Sequence, residues 1–147
     1  MRQQGFTLIE LIVVMLVMAV LAAYVGTRWS FGDATVSAQA EQLARDLRHT
    51  QMLAMQQGRT LRLEATGGGY RVTDGASVIL DPATQEDFIQ ALDSGVSLSG
   101  GPVEFDSMGR PVSGGSLAGA AVSFSLSGSS DTVAVSVAPV TGFVSGP

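Results

Sequence analysis

The rhythm of apolar positions changes twice along the chain. From Phe6 to Val25 only Thr7 and Glu10 interrupt an apolar run. As a helix rising about 1.5 Å per residue, such a run is about 30 Å long, enough to cross a bilayer. Gly26 to Asp33 mixes Gly and Ser with Trp29 and Phe31, which predicts a kink or short break. From Thr35 to Gln57 the apolar residues Val36, Ala40, Leu43, Leu47, Ala54 and Met55 recur at helical spacing, predicting one buried face with Met52 and Met55 as packing residues. Glu41 and Arg45 stand four apart in the favourable order, and Gly58 supplies a stop.

After Gly58 the period becomes two. Leu61 and Leu63 alternate with Arg62 and Glu64, Gly67 to Gly69 turn the chain, and Tyr70 and Val72 alternate with Arg71 and Thr73, which together predict a hairpin. A short strand is expected at Val78 to Leu80, and a loop or brief helix from Pro82 to Leu92. Phe105 to Pro111 reads as a strand end followed by a Gly-containing turn. The clearest hairpin sets Val122, Phe124 and Leu126 against Val133, Val135 and Val137, with small residues on the other face. The fold class expected is α+β, a long N-terminal helix packed against antiparallel sheet.

The N-terminal run has three readings: a secretory signal cut after Ala22, a membrane anchor, or a buried core helix. Glu10 separates them, because a carboxylate inside an apolar span costs on the order of 2.5–3.5 kcal/mol at a helix centre. A disposable signal gains nothing from it. No basic side chain lies within one helical turn of Glu10, so its partner must come from elsewhere. If the chain were cut just before Phe6, the new α-amino group of an adjacent copy is the candidate nearest in height, and the cost would be offset only in the assembled state.

The residues Gly5-Phe6-Thr7-Leu8-Ile9-Glu10, followed by Leu11 to Met15, resemble the type III signal of type IV prepilins and pseudopilins. That resemblance implies cleavage between Gly5 and Phe6 by a prepilin peptidase, N-methylation of Phe6, and an assembly role for Glu10, with Arg2 in a short cytoplasmic leader. The layout that follows, with its FDSMGRP turn and terminal VAPVTGFVS, is similar to the GspH-like and FimT-like minor pseudopilins and minor pilins. The resemblance divides the chain into a leader (1–5), a transmembrane helix (6–25), a kink with a periplasmic amphipathic helix (26–57) and a β-rich domain (58–147). It implies a structural minor subunit, anchored once in a bacterial inner membrane with its C-terminal domain in the periplasm. Its partners would be other pilins or pseudopilins and the peptidase. A type II secretion pseudopilus is placed ahead of a type IV pilus; a DNA-binding uptake pilin and a secreted periplasmic protein are the alternatives.

Composition narrows the chemistry. The 147 residues hold no Cys and one His, His49, so thiolate metal sites and disulfides are excluded, and neither a metal nor a cofactor is expected. All eight basic residues are Arg against 13 acids, a net charge of −5, which argues against nucleic acid as a partner. Arg45, Arg48 and His49 form the one basic cluster and read as a solvated helix face, since Glu41 and Asp46 sit among them. Asp81, Glu86, Asp87 and Asp93 lack the spacing of a calcium loop. No nucleophile with a base and an orienting group is legible, so no enzyme is expected.

Overall fold

A computed structural model describes residues 8–26 and 31–147. The Gly5–Phe6 junction, Arg2 and Trp29 lie outside the described residues. The chain forms two compact units, 1–31 and 32–147.

The first unit carries helix α1 (Leu8–Gly26), 19 residues with Glu10 in its first turn. That turn is the positive end of the helix dipole, where a carboxylate is favoured. Among the described residues no helix is long and apolar enough to cross a membrane. At ~1.5 Å per residue α1 reaches about 28 Å, slightly short of a hydrocarbon core, and Phe6 and Thr7 of the expected span precede it.

Helix α2 (Phe31–Gln57) belongs, from residue 32 onward, to the second unit. Within the segment expected to break, Gly26 and Phe31 to Asp33 are helical, and residues 27–30 lie outside the described residues. The aromatic and Gly residues there lower helix propensity by at most about 1 kcal/mol each, too little to delay a long helix. Val36, Ala40, Leu43, Ala44, Leu47, Leu53 and Ala54 bury one stripe of α2, and Thr50 in the same stripe is satisfied by donating to the Asp46 carbonyl at 2.7 Å. Met52 and Met55 are not core residues: they are 45% and 47% exposed.

Strands β1 (Leu61–Thr66), β2 (Gly69–Thr73), β3 (Ile89–Ala91), β5 (Val103–Phe105), β6 (Pro111–Ser113) and β7 (Ser116–Leu117) form one antiparallel sheet in the order β3-β2-β1-β5-β6-β7. Strand β4 (Ser97–Gly100) leaves it for a second sheet, β10-β9-β8-β4, completed by β8 (Val122–Ser127), β9 (Thr132–Val137) and β10 (Val144–Ser145). Both expected hairpins form, with Leu63 opposite Val72 and Phe124 opposite Val135. The first turn is tighter than the triple Gly implied. Gly69 pairs with Thr66 and already belongs to β2. A Cβ on Gly69 would strike the Gln90 backbone of β3, which explains a glycine inside that strand. The Val78–Leu80 strand is reduced to two isolated bridges, Thr73 to Val78 and Leu80 to Asp87, and the Pro82–Leu92 segment holds β3 in place of a helix. The stripe of α2 meets Leu61, Leu63, Tyr70, Val72, Val103, Phe105, Phe124, Leu126, Val135, Val137 and Val144 in one core. Each fully buried large side chain there contributes about 1.5–3 kcal/mol.

Candidate assembly surface

A helix whose residues are nearly all apolar has no polar face to offer water, and α1 shows the result. Its described large side chains from Leu8 to Tyr24 are 49–77% exposed, on every side of the helix. A surface helix buries one stripe and solvates the other, whereas one that is apolar all round needs an apolar environment on all sides. Exposed apolar area disfavours water by about 25 cal/mol per Å², so the bare surface of α1 is costly in water. Glu10 lies on this helix and is itself exposed. Gly5 and Phe6, the other two site residues expected from sequence, lie outside the described residues.

In the second unit the basic cluster is partly tied down. Arg45 lies 3.7 Å from Glu41 with both side chains more than half exposed, as a solvated face requires. Arg48 instead donates from Nη2 to the Val144 carbonyl at 3.0 Å, fastening β10 to α2. The His49 ring is half-buried against Phe88, centroids 5.7 Å apart. Among the described residues no group of His, Asp and Glu side chains could hold a metal ion.

One buried polar contact escaped sequence reasoning. Tyr70 is fully buried and its hydroxyl donates to Asp46 Oδ2 at 2.5 Å, joining β2 to α2. Burial, then the Asp46 bond and charge, push the Tyr70 hydroxyl well above its ordinary pKa, so it stays protonated. The bond fastens β2 to α2, and the Tyr70 hydroxyl keeps its proton near neutrality. Tyr70 sits in apolar alternation like any core residue, and nothing local in sequence announces a partner 24 positions away.

Three comparisons bear on the surface. Residues 1–26 match the family model described as a prokaryotic N-terminal methylation motif, and residues 39–141, more than half of the chain, match the model described as type II transport protein GspH. A crystal structure of the type IV minor pilin FimU from Pseudomonas aeruginosa strain PAO1 is similar with a TM-score of 0.56 and 16% identity. The likeness covers 76% of this chain and 87% of that one. A second crystal form of FimU gives 0.54 and 15%, covering 75% and 90%. At such identity the likeness establishes the α+β pilin fold alone. No curated protein matches the sequence.

Proposed function

Because the chain belongs to the GspH family of type II transport proteins, we propose that it is a structural minor subunit of a secretion pseudopilus, anchored and assembled through α1. The observation that carries this reading is a helix apolar on every side with one carboxylate in its first turn. Before assembly, lipid of the bacterial inner membrane covers α1 and the β-rich domain stands in the periplasm; after assembly, helices of other pilins or pseudopilins cover it. Prepilin peptidase cuts between Gly5 and Phe6 and Phe6 is N-methylated, which leaves its amine able to carry a positive charge. Glu10 of one subunit then meets the Phe6 ammonium of its neighbour, and the pairing offsets a desolvation that is unfavourable for either charge alone. Such a contact fixes the stagger between subunits and needs no catalytic group in the chain.

A minor type IV pilin is the second reading, and the fold shared with FimU favours it. Both readings require the same N-terminus, so two measurements test them together. Mass analysis of the membrane-extracted protein should give a chain starting at methylated Phe6. Glu10→Leu should be processed and inserted normally, since the span becomes more apolar, while its crosslinking into the filament falls about tenfold or more, the minimum for losing a contact worth over ~1.4 kcal/mol. A soluble product beginning near Ala23 would replace both readings with a secreted protein. Wild-type crosslinking of Glu10→Leu would reject the pairing. Deleting the gene and finding secretion intact but surface pili lost would move the subunit to the pilus.

A further inference from the structure

The described arginines of the β-rich unit are almost all matched to carboxylates of the same chain. Arg59 meets Asp74 at 2.8 Å, Arg62 meets Glu64 and Glu104 at 3.1 and 3.5 Å, Arg71 meets Glu64 at 2.6 Å, and Arg110 meets Asp106 at 2.7 Å. Arg48 alone among them faces no carboxylate within ion-pair distance, in a chain with 13 acids. Its bond to the Val144 carbonyl uses one of the five N–H donors of a guanidinium. One turn earlier, Arg45 has only the 3.7 Å contact to Glu41 and a bond to Gln42 Oε1 at 3.1 Å, both exposed and therefore weak.

The two guanidinium groups line a shallow cleft of about 400 Å³, with Glu41 and Ala44 of α2 on one wall and Phe143 to Pro147 on the other. Phe143 is 68% exposed, although Phe88, Phe105 and Phe124 are buried. Fraying does not account for this. Both neighbours of Phe143, Gly142 and Val144, are buried. The Phe143 carbonyl accepts from Ala138 N–H at 2.8 Å, and Gln51 ties the preceding turn by donating to the Gly109 and Thr141 carbonyls at 2.7 and 3.4 Å. In that turn Val140 is 54% exposed with a φ of 66°, a left-handed conformation that a β-branched residue rarely adopts. Strain held in place by surrounding bonds concentrates at binding surfaces. The fold thus presents an aromatic ring rigidly beside an unmatched guanidinium.

We propose that this cleft docks an acidic segment of a neighbouring filament subunit, one side-chain carboxylate on Arg48 and Arg45 and an adjacent apolar side chain on Phe143. The source of the segment rests on the filament-subunit reading; the chemistry of the cleft does not. Planar guanidinium groups take a carboxylate in a bidentate fashion, and an aromatic beside them supplies the apolar anchor. Charge selects the occupant. Glu41 on the same wall and the net charge of −5 oppose a run of phosphates, so a nucleic acid fits poorly and a single carboxylate fits well.

The test uses the full-length mature protein in neutral detergent and a fluorescein-labelled, C-terminally amidated peptide of sequence Gly-Leu-Glu-Leu-Gly, with the Gln peptide as its neutral counterpart. Fluorescence polarisation should show saturable binding, weaker by about tenfold for the Gln peptide and for Arg48→Gln, as expected for one charge-assisted contact. Arg48→Gln also releases β10, so Arg45→Gln and Phe143→Ser, at exposed positions, serve as independent variants and should weaken binding about threefold to tenfold. Arg59→Gln, paired elsewhere, should bind as wild type. Equal affinity for the Gln peptide, or for all three cleft variants, overturns the proposal. So does a neutral peptide with a free C-terminal carboxylate that binds better, or a short DNA duplex that displaces the Glu peptide. A mature chain that does not start at Phe6 would remove the filament reading while leaving peptide binding as measured.

Discussion

A single carboxylate holds the turn between β5 and β6. Asp106 Oδ1 accepts from the backbone N–H groups of Met108 and Arg110, both at 2.9 Å, and Oδ2 accepts from Arg110 Nε and Nη2 at 2.9 and 2.7 Å. Gly109 completes the turn at a φ of 74°, and a Cβ there would press on the Met55 side chain. The Gly in Asp-Ser-Met-Gly-Arg-Pro made the turn legible in sequence; which side chain closes it was not, because Asp106 reaches forward past three residues to do so. Burial pushes the Asp106 carboxyl up, yet the Arg110 guanidinium and the two N–H groups outweigh it and hold it below the ordinary carboxylate range. Its folded-state pKa is thus depressed from 3.8, and the stability it contributes is present above that value and lost as pH falls through the lower folded one. Asp106→Ala should therefore lower unfolding stability by about 1–3 kcal/mol at pH 7. Denaturant titrations repeated down to about pH 2.5 should show the gap between variant and wild type narrowing below about pH 4. A gap independent of pH would mean that the carboxylate's charge contributes nothing.

At the scale of elements, long periodic segments were readable and short paired ones were not. The helix and both main hairpins followed from spacing, since burial on one face imposes that spacing. Met55 was misplaced because the buried stripe drifts: by the last turns it centres on Thr50, Leu53 and Ala54. Met55 then lies about 80° round from Leu47 at ~100° per residue, on the side away from Leu53. Strands β3, β4 and β10 are two to four residues long and held by backbone bonds to longer neighbours, so their side chains carry almost no alternation. The α1 surface was legible as an apolar run with one acid, whereas the C-terminal cleft required the fold to bring residues 41–48 and 143–147 together. The same reasoning sets the cost of substitutions on α2. Leu47→Ala removes a fully buried side chain and should cost about 2–5 kcal/mol in urea unfolding, while Met55→Ala should cost under about 1 kcal/mol. Equal losses for both would show that the drift of the stripe is wrong.

For the whole molecule, charge and topology decide behaviour that no one residue does. Most described guanidinium groups are already matched to carboxylates, and the net charge is −5. Full-length protein in neutral detergent should therefore give no shift of a 30-base-pair duplex at micromolar concentration and about 0.15 M salt. Retardation below one micromolar, weakening steeply with salt, would revive the DNA-uptake alternative. Topology has a separate consequence. Strand β4 precedes β5 in the chain yet pairs with β8, Leu98 opposite Leu126, so the second sheet is shared between the two halves of the domain. Across the Gly114–Gly115 turn, β6 also pairs with β7. A protease that nicks the chain there would not release a fragment: 1–114 and 115–147 would stay interlocked and migrate as one particle, coming apart only in denaturant. The domain is a clasp closed from both ends, and its covalent continuity is not what keeps it shut.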